Sequence, residues 1–126
     1  MVLESYPRGS WQVLFAPGMA MDLVRLPTVV QTELLAHAKL LAMFGPSLGR
    51  PRVDTLKGSR HTNMKELRFK ADDGVWRVAF AFDPTRCAVL LVAGDKSGVS
   101  QRLFYRRLIA KADARYDAHL AAERPR

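Results

Sequence analysis

Cys87 is the only cysteine among the 126 residues of this chain. One thiol supports neither an internal disulfide framework nor a cysteine-based zinc site. It lies in an apolar, strand-like run, so it reads as a buried structural thiol in a reducing compartment. Long hydrophobic runs are missing too. No segment approaches the roughly 18 apolar residues of a membrane span, and Met1 to Ser10 lacks the apolar stretch of a signal peptide. The expectation is a cytoplasmic protein with no membrane partner. No three His, Asp or Glu residues show metal-ligand spacing, and Gly94-Asp95-Lys96-Ser97-Gly98 lacks the spacing of a phosphate-cradling loop. Neither a metal nor another cofactor is expected. Internal repeats and low-complexity segments are likewise lacking.

Acidic charge is scarce in one part of the chain. Residues 1–49 hold three basic and three acidic side chains, whereas residues 50–126 hold 17 basic and nine acidic ones. The whole net charge of +8 therefore sits after residue 49. A concentration of this kind favours a polyanionic partner, nucleic acid or an acidic protein; the plainer alternative is a solvated basic surface. The length suits one domain with a modest core.

The elements read in the order β-α-α-β-β-β-α. Trp11 to Phe15 is a short strand ended by Pro17-Gly18, and Met19 to Leu26 supports one or two helical turns. Thr28 with Gln31 three residues on matches a capping box. Val30, Leu34, Ala38 and Leu41 form one helical stripe after it, and Gly45-Pro46 stops the helix. Ser47 to Asn63 reads as a basic, Gly- and Pro-rich loop. Arg86 to Ala93 is a nearly continuous apolar run, as in a strand buried on both faces. Ser100 to Leu120 is a last helix, with Phe104, Leu108, Ala112 and Tyr116 recurring every four residues. Met19, Met21, Met43 and Met64 read as core fillers. The helices are expected to cover one face of the sheet and leave the other open and basic.

The most informative stretch is Met64 to Phe82. Leu67 and Phe69 alternate with Glu66, Arg68 and Lys70, and Trp76, Val78, Phe80 and Phe82 flank Arg77. Such alternation marks two half-buried strands, joined by a turn at Asp72-Asp73-Gly74. A loop from Ala71 to Gly74 places Lys70 opposite Val75 and Arg68 opposite Arg77. Like charges in that relation cost stability and are better tolerated with an anion between them. A phosphate is one such anion; pairing with Glu66 or Asp73 is the simpler alternative.

Several pieces resemble one known family. They are Leu56 to Gly58 (LKG), Glu66 to Arg68 (ELR), Gly74 to Val78 (GVWRV), Ala81 to Pro84 (AFDP), the GDKSG loop and Phe104 to Arg107 (FYRR). Taken in order over about residues 11–120, they resemble the RelE/ParE superfamily of toxins from toxin–antitoxin systems, within it the HigB-like, phage-derived branch. The resemblance implies a single RelE/HigB-like domain over residues 1–126. It also implies an α+β, RelE-like fold: an N-terminal strand and two helices, an antiparallel sheet of three further strands, and a C-terminal helix.

It further implies a type II toxin that cleaves messenger RNA without a metal, either with the ribosome or free of it, inhibits translation and is neutralised by a helix-turn-helix antitoxin. Two alternatives stay open because fold does not dictate function. One is a ParE-like inhibitor of DNA gyrase that cuts no RNA; the other is a basic RNA-binding module without catalysis.

For cleavage by 2′-hydroxyl attack, the candidate catalytic residues are Arg77, Arg68, Lys96, His61 and Tyr105. Arginine meets phosphate oxygens with a planar fork. Arg77 matches a strand arginine of RelE-type sites, with Arg68 beside it. The resemblance puts a site residue where Lys96 stands, after the next strand. It also assigns a stacking or proton-transfer role to a tyrosine near the C-terminus, here Tyr105. His61 is the one histidine near this region, and histidine titrates near neutral pH. Lys57, Arg60, Lys65, Lys70, Arg102 and Arg106 are the candidate RNA-binding residues, with Lys65 a further proton-transfer candidate. The chain departs from the nuclease pattern in having no arginine–tyrosine pair after Leu120 and a longer run from Ser97 to Tyr105.

Overall fold

A computed structural model describes residues 11–123. The chain forms β1 (Gln12–Phe15), α1 (Pro17–Leu23), α2 (Thr28–Phe44), β2 (Val53–Thr55), β3 (Met64–Ala71), β4 (Gly74–Phe82), β5 (Cys87–Asp95) and α3 (Gln101–Glu123). The five strands make one sheet in the order β1-β5-β4-β3-β2. β1 runs parallel to β5 and the other pairs are antiparallel. The expected α+β arrangement is present, with β2 added: the Ser47 to Asn63 segment is not all loop, because Val53 is buried and pairs with Leu67.

The hairpin has the expected register. Ala71 pairs with Gly74, Lys70 with Val75 and Arg68 with Arg77. Asp72 and Asp73 both take positive φ, 51° and 57°, the left-handed pair of a two-residue hairpin turn, and aspartate tolerates that region better than most residues. Leu67 and Phe69 then share a face with Trp76, Val78 and Phe80, and all five are buried. α2 covers this face, and His37 stacks on Phe69 with ring centroids 5.1 Å apart. Val30, Leu34, Ala38 and Leu41 of its stripe are fully buried; Val30, Leu34 and Leu41 each contribute about 1.5–3 kcal/mol. β5 lies inside the sheet, and Cys87 through Val92 are all buried, as the apolar run requires.

Four local expectations are corrected. The capping box does not form. α2 begins at Thr28 after Pro27 without a side-chain cap, and Gln31 donates its amide to the Leu26 carbonyl instead. Met19 and Met64 are core residues, but Met21 and Met43 are 63% and 57% exposed because they lie on the outer sides of α1 and α2. α1 starts at Pro17, whose fixed φ suits a first helical turn.

The second sheet face is only partly open, and this correction bears most on function. α3 lies over its β4–β5 half. Gly94 makes that approach feasible: a Cβ there would stand 2.9 Å from the Phe104 ring. Phe104, Leu108, Ala112 and Tyr116 face inward, as their spacing predicts.

Candidate functional site

Glu66 and Arg68 stand two residues apart on β3 and so point to the same face. Arg77 joins them from the facing position on β4. The anion between the two arginines is the chain's own Glu66, whose side chain is only 5% exposed. Arg68 Nε donates to Glu66 Oε1 at 3.0 Å, and Tyr105 reaches from α3 to donate its hydroxyl to the same oxygen at 2.8 Å. Arg77 Nε lies 3.1 Å from it. Its direction makes no hydrogen bond among the described residues, so the contact is electrostatic. Arg77 spends Nη1 on the Trp76 carbonyl at 2.9 Å. A buried carboxylate is costly unless paired and hydrogen-bonded; here two guanidinium groups and a phenol surround one oxygen.

Asp54 extends the cluster from β2, where it faces Glu66 in register. It lies 3.5 Å from Arg68 Nη2 and 3.2 Å from Arg50 Nη2. The Thr55 N–H first, joined by Arg50 and Arg68, holds its carboxyl below the usual carboxylate range against the opposing effect of burial. Above these residues opens a polar cleft of about 300 Å³, lined by Arg50, Asp54, Lys57, Glu66, Arg68 and Tyr105 among others. Its cations, Arg50, Lys57 and Arg68, outnumber its two carboxylates.

Tyr105 forms one wall. Burial raises its pKa above the ordinary tyrosine value; the hydrogen bond to Glu66 adds to that and Arg77 offsets part of it. The phenol stays protonated at neutral pH. The hydrogen bond to Glu66, first, raises the pKa of Arg68 despite partial burial. Lys96 leaves β5 beside this wall. Its Nζ stands 5.8 Å from the Tyr105 ring centroid, within cation–π range, and its N–H donates to the Val75 carbonyl at 2.8 Å. Asp95 braces the loop by accepting from the Val75 and Ser97 N–H groups, both at 3.0 Å.

Arg68, Arg77, Tyr105 and Lys96 thus come together, and Lys57 lines the cleft with Arg68 and Tyr105. Arg102 and Arg106 are exposed on the first turns of α3, on either side of Tyr105 in sequence, and Lys70 is exposed on β3 two residues beyond Arg68. The other candidates lie apart. His61 Nε2 is 2.8 Å from Asp117 Oδ1 and its ring meets Tyr116 edge-on. Asp117 is twelve residues along α3 from Tyr105, about 18 Å at the helical rise. His61, followed by Arg60, holds the Asp117 carboxyl below its usual range. Arg60 pairs with Asp117 and approaches Asp113. Lys65 faces Phe80 in register, on the opposite side of β3 from Glu66.

Glu66, Asp54, Arg50 and Gln101 line the cleft without having been singled out as site residues by the sequence. The available signal was Glu66-x-Arg68, two residues of one strand face aimed at Arg77. The Tyr105 contact had none, since it joins residues 39 apart.

Residues 21–117 match the family model described as phage derived protein Gp49-like (DUF891). The chain is 45% identical over 89 residues to HigB2 of Mycobacterium tuberculosis, a match covering 70% of this chain and 44% of HigB2. It is 50% identical over 84 residues to HigB3 of the same organism, covering 67% of this chain and 71% of HigB3. Both are named as toxins. The chain thus spans less than half the length of HigB2. Its fold is similar to that of a double arginine-to-alanine mutant of Escherichia coli toxin RelE in the free state. That match has a TM-score of 0.52 and 11% identity, and covers 81% of this chain and 96% of the other.

Proposed function

The chain belongs to the Gp49-like phage-derived family, in the HigB-like branch of the RelE/ParE superfamily, and from that premise we propose that it is the toxin of a type II toxin–antitoxin system and an endoribonuclease acting on messenger RNA. The observation that carries the reading is Glu66 Oε1, held by Arg68 and Tyr105 and 3.1 Å from Arg77 on the floor of a polar cleft. Its partners, in this proposal, are messenger RNA on the ribosome and a cognate antitoxin of helix-turn-helix type. The surplus of positive charge supports a polyanionic substrate, since binding one phosphate brings the cleft toward neutrality.

In the proposed reaction the ribose 2′-hydroxyl attacks the adjacent phosphorus. The O2′–P bond forms, the P–O5′ bond breaks, and the products carry a 2′,3′-cyclic phosphate and a 5′-hydroxyl. Arg68 and Arg77 meet the non-bridging oxygens and stabilise the charge of the crowded phosphorane. Glu66 takes the 2′-hydroxyl proton. Tyr105, kept protonated by its burial, supplies a proton to the departing O5′. Lys96 stands over the Tyr105 ring and favours the phenolate that forms as the proton leaves. Arg50 and Lys57 hold neighbouring phosphates.

Induction of the protein in a bacterial host tests this, with growth and message ends followed together. Arrest accompanied by new 5′ ends within messages, both lost on Arg77→Ala, is the expected result. Arrest with intact messages and altered DNA supercoiling overturns it in favour of a gyrase inhibitor.

A further inference from the structure

The geometry points to a divalent transition-metal site, of Zn²⁺ type, at the other end of α3, formed by Asp83, His119 and Glu123. His119 and Glu123 are one helical turn apart, and Asp83 follows the last residue of β4. Asp83 Oδ2 and Glu123 Oε1 both converge on His119 Nε2, at 2.8 Å and 2.5 Å. A single ring nitrogen carries at most one proton, and one proton cannot make two good hydrogen bonds to two carboxylates. A cation placed among the three atoms serves all of them at once.

The ligands are already in place. Asp83 Oδ1 accepts from the Thr85 N–H at 2.9 Å, the Thr85 hydroxyl at 2.8 Å and the Cys87 N–H at 3.0 Å, which fixes the carboxylate and turns Oδ2 to the imidazole. Tyr116 stacks on His119 at 6.1 Å with the rings 12° from parallel, which sets the imidazole plane. The three ligand atoms lie within 4.8 Å of one another. Bonds of about 2.0–2.2 Å to Zn²⁺ put tetrahedral ligand atoms roughly 3.2–3.6 Å apart, so metal entry needs side-chain shifts of about 1 Å. Side-chain exposure rises from 1% at Asp83 through 10% at His119 to 31% at Glu123. Two ligands are anchored in the interior and the third opens to solvent, which leaves a side for water as the fourth ligand. One imidazole and two carboxylates suit a borderline ion such as Zn²⁺ better than the all-oxygen sites of Mg²⁺ or Ca²⁺. Bound there, the ion joins the last turns of α3 to the β4–β5 turn, away from the cleft.

The test is calorimetric titration of the chelator-treated full chain with ZnCl₂, together with thermal melting and the visible spectrum of the Co²⁺-loaded protein. One equivalent bound, a higher melting temperature and Co²⁺ d–d bands are expected. His119→Ala weakens binding by about 100-fold or more and Glu123→Gln by about tenfold, while His61→Ala and Cys87→Ser bind as the wild type. Far-UV circular dichroism checks the fold of each variant. Glu123→Gln, near the exposed end of the helix, carries the test should His119→Ala fail to fold. Absence of Zn²⁺ binding to the wild type below millimolar concentration overturns the inference. Wild-type affinity in the folded His119→Ala protein (in Glu123→Gln should His119→Ala not fold), or loss of binding in His61→Ala or Cys87→Ser, overturns it equally.

Discussion

The two ends of α3 solve opposite electrostatic problems. Near its start, one buried carboxylate, Glu66, faces two arginines and a tyrosine, and the surrounding cleft adds Arg50 and Lys57. Near its end, one imidazole, His119, faces two carboxylates. The first cluster has cation to spare and the second has anion to spare. Each is anchored to the sheet, by Glu66 on β3 and by Asp83 after β4. The lesson is that a buried ion cluster is informative through its imbalance: a matched pair explains itself, whereas a surplus of one sign indicates the sign of what binds.

The largest expected effect is at the cleft. Arg77→Ala lowers RNA cleavage by about 100-fold or more, measured by single-turnover cleavage of a labelled message, with thermal melting to confirm the fold. Arg77→Lys keeps the charge but loses the fork and falls between the two. Glu66→Gln also lowers cleavage by about 100-fold; an unchanged rate would make Glu66 a strut for the arginines and remove it as the base. Tyr105→Phe loses roughly 10- to 100-fold, because it removes the proton donor and keeps the ring packing.

The far end responds to acid rather than to substrate. Burial pushes the Asp83 carboxyl up, but hydrogen bonds from His119, Thr85 and the Cys87 N–H outweigh it and hold its pKa below the ordinary value. At the cleft end, Asp95 is likewise partly desolvated and likewise held low, by Ser97 and the Val75 N–H. A folded-state pKa below the unfolded one means that the folded state binds fewer protons. This stabilisation is complete above the unfolded value of about 3.9 and is lost as pH falls through the folded values. Acid titration of circular dichroism checks it: Asp83→Asn flattens the acid limb of the stability curve. Burial also pushes the Cys87 thiol up to about 11, with Asp83 and Glu123 adding to the shift; alkylation at neutral pH is therefore slow in the folded chain. The smallest effect is at His61. Paired with Asp117, which lies about 18 Å along α3 from Tyr105, it changes cleavage by less than about twofold when replaced by alanine.

Much of this frame was legible in the sequence because it is local. Alternation along Met64 to Phe82 and the aspartate turn set the register that puts Arg68 opposite Arg77. The four-residue recurrence of Phe104, Leu108, Ala112 and Tyr116 set the inward side of α3. The missing parts depend on contacts between distant segments. Nothing near Tyr105 announces Glu66, and nothing near Asp83 announces His119. The three-residue β2 is too short for a periodic signal, and it is fixed only by pairing with β3. Gln31 lost its capping role to the Leu26 carbonyl, a competition that spacing alone does not decide. The open basic face was overestimated because Gly94, read as a loop residue, is where α3 comes down onto the sheet.

The most direct test of the central claim is to map the ends of cellular messages after inducing the wild-type chain and Arg77→Ala, each at equal folded abundance. New 5′-hydroxyl ends within messages are expected for the wild type and none for the variant. Growth arrest by the wild type with every message intact would contradict it.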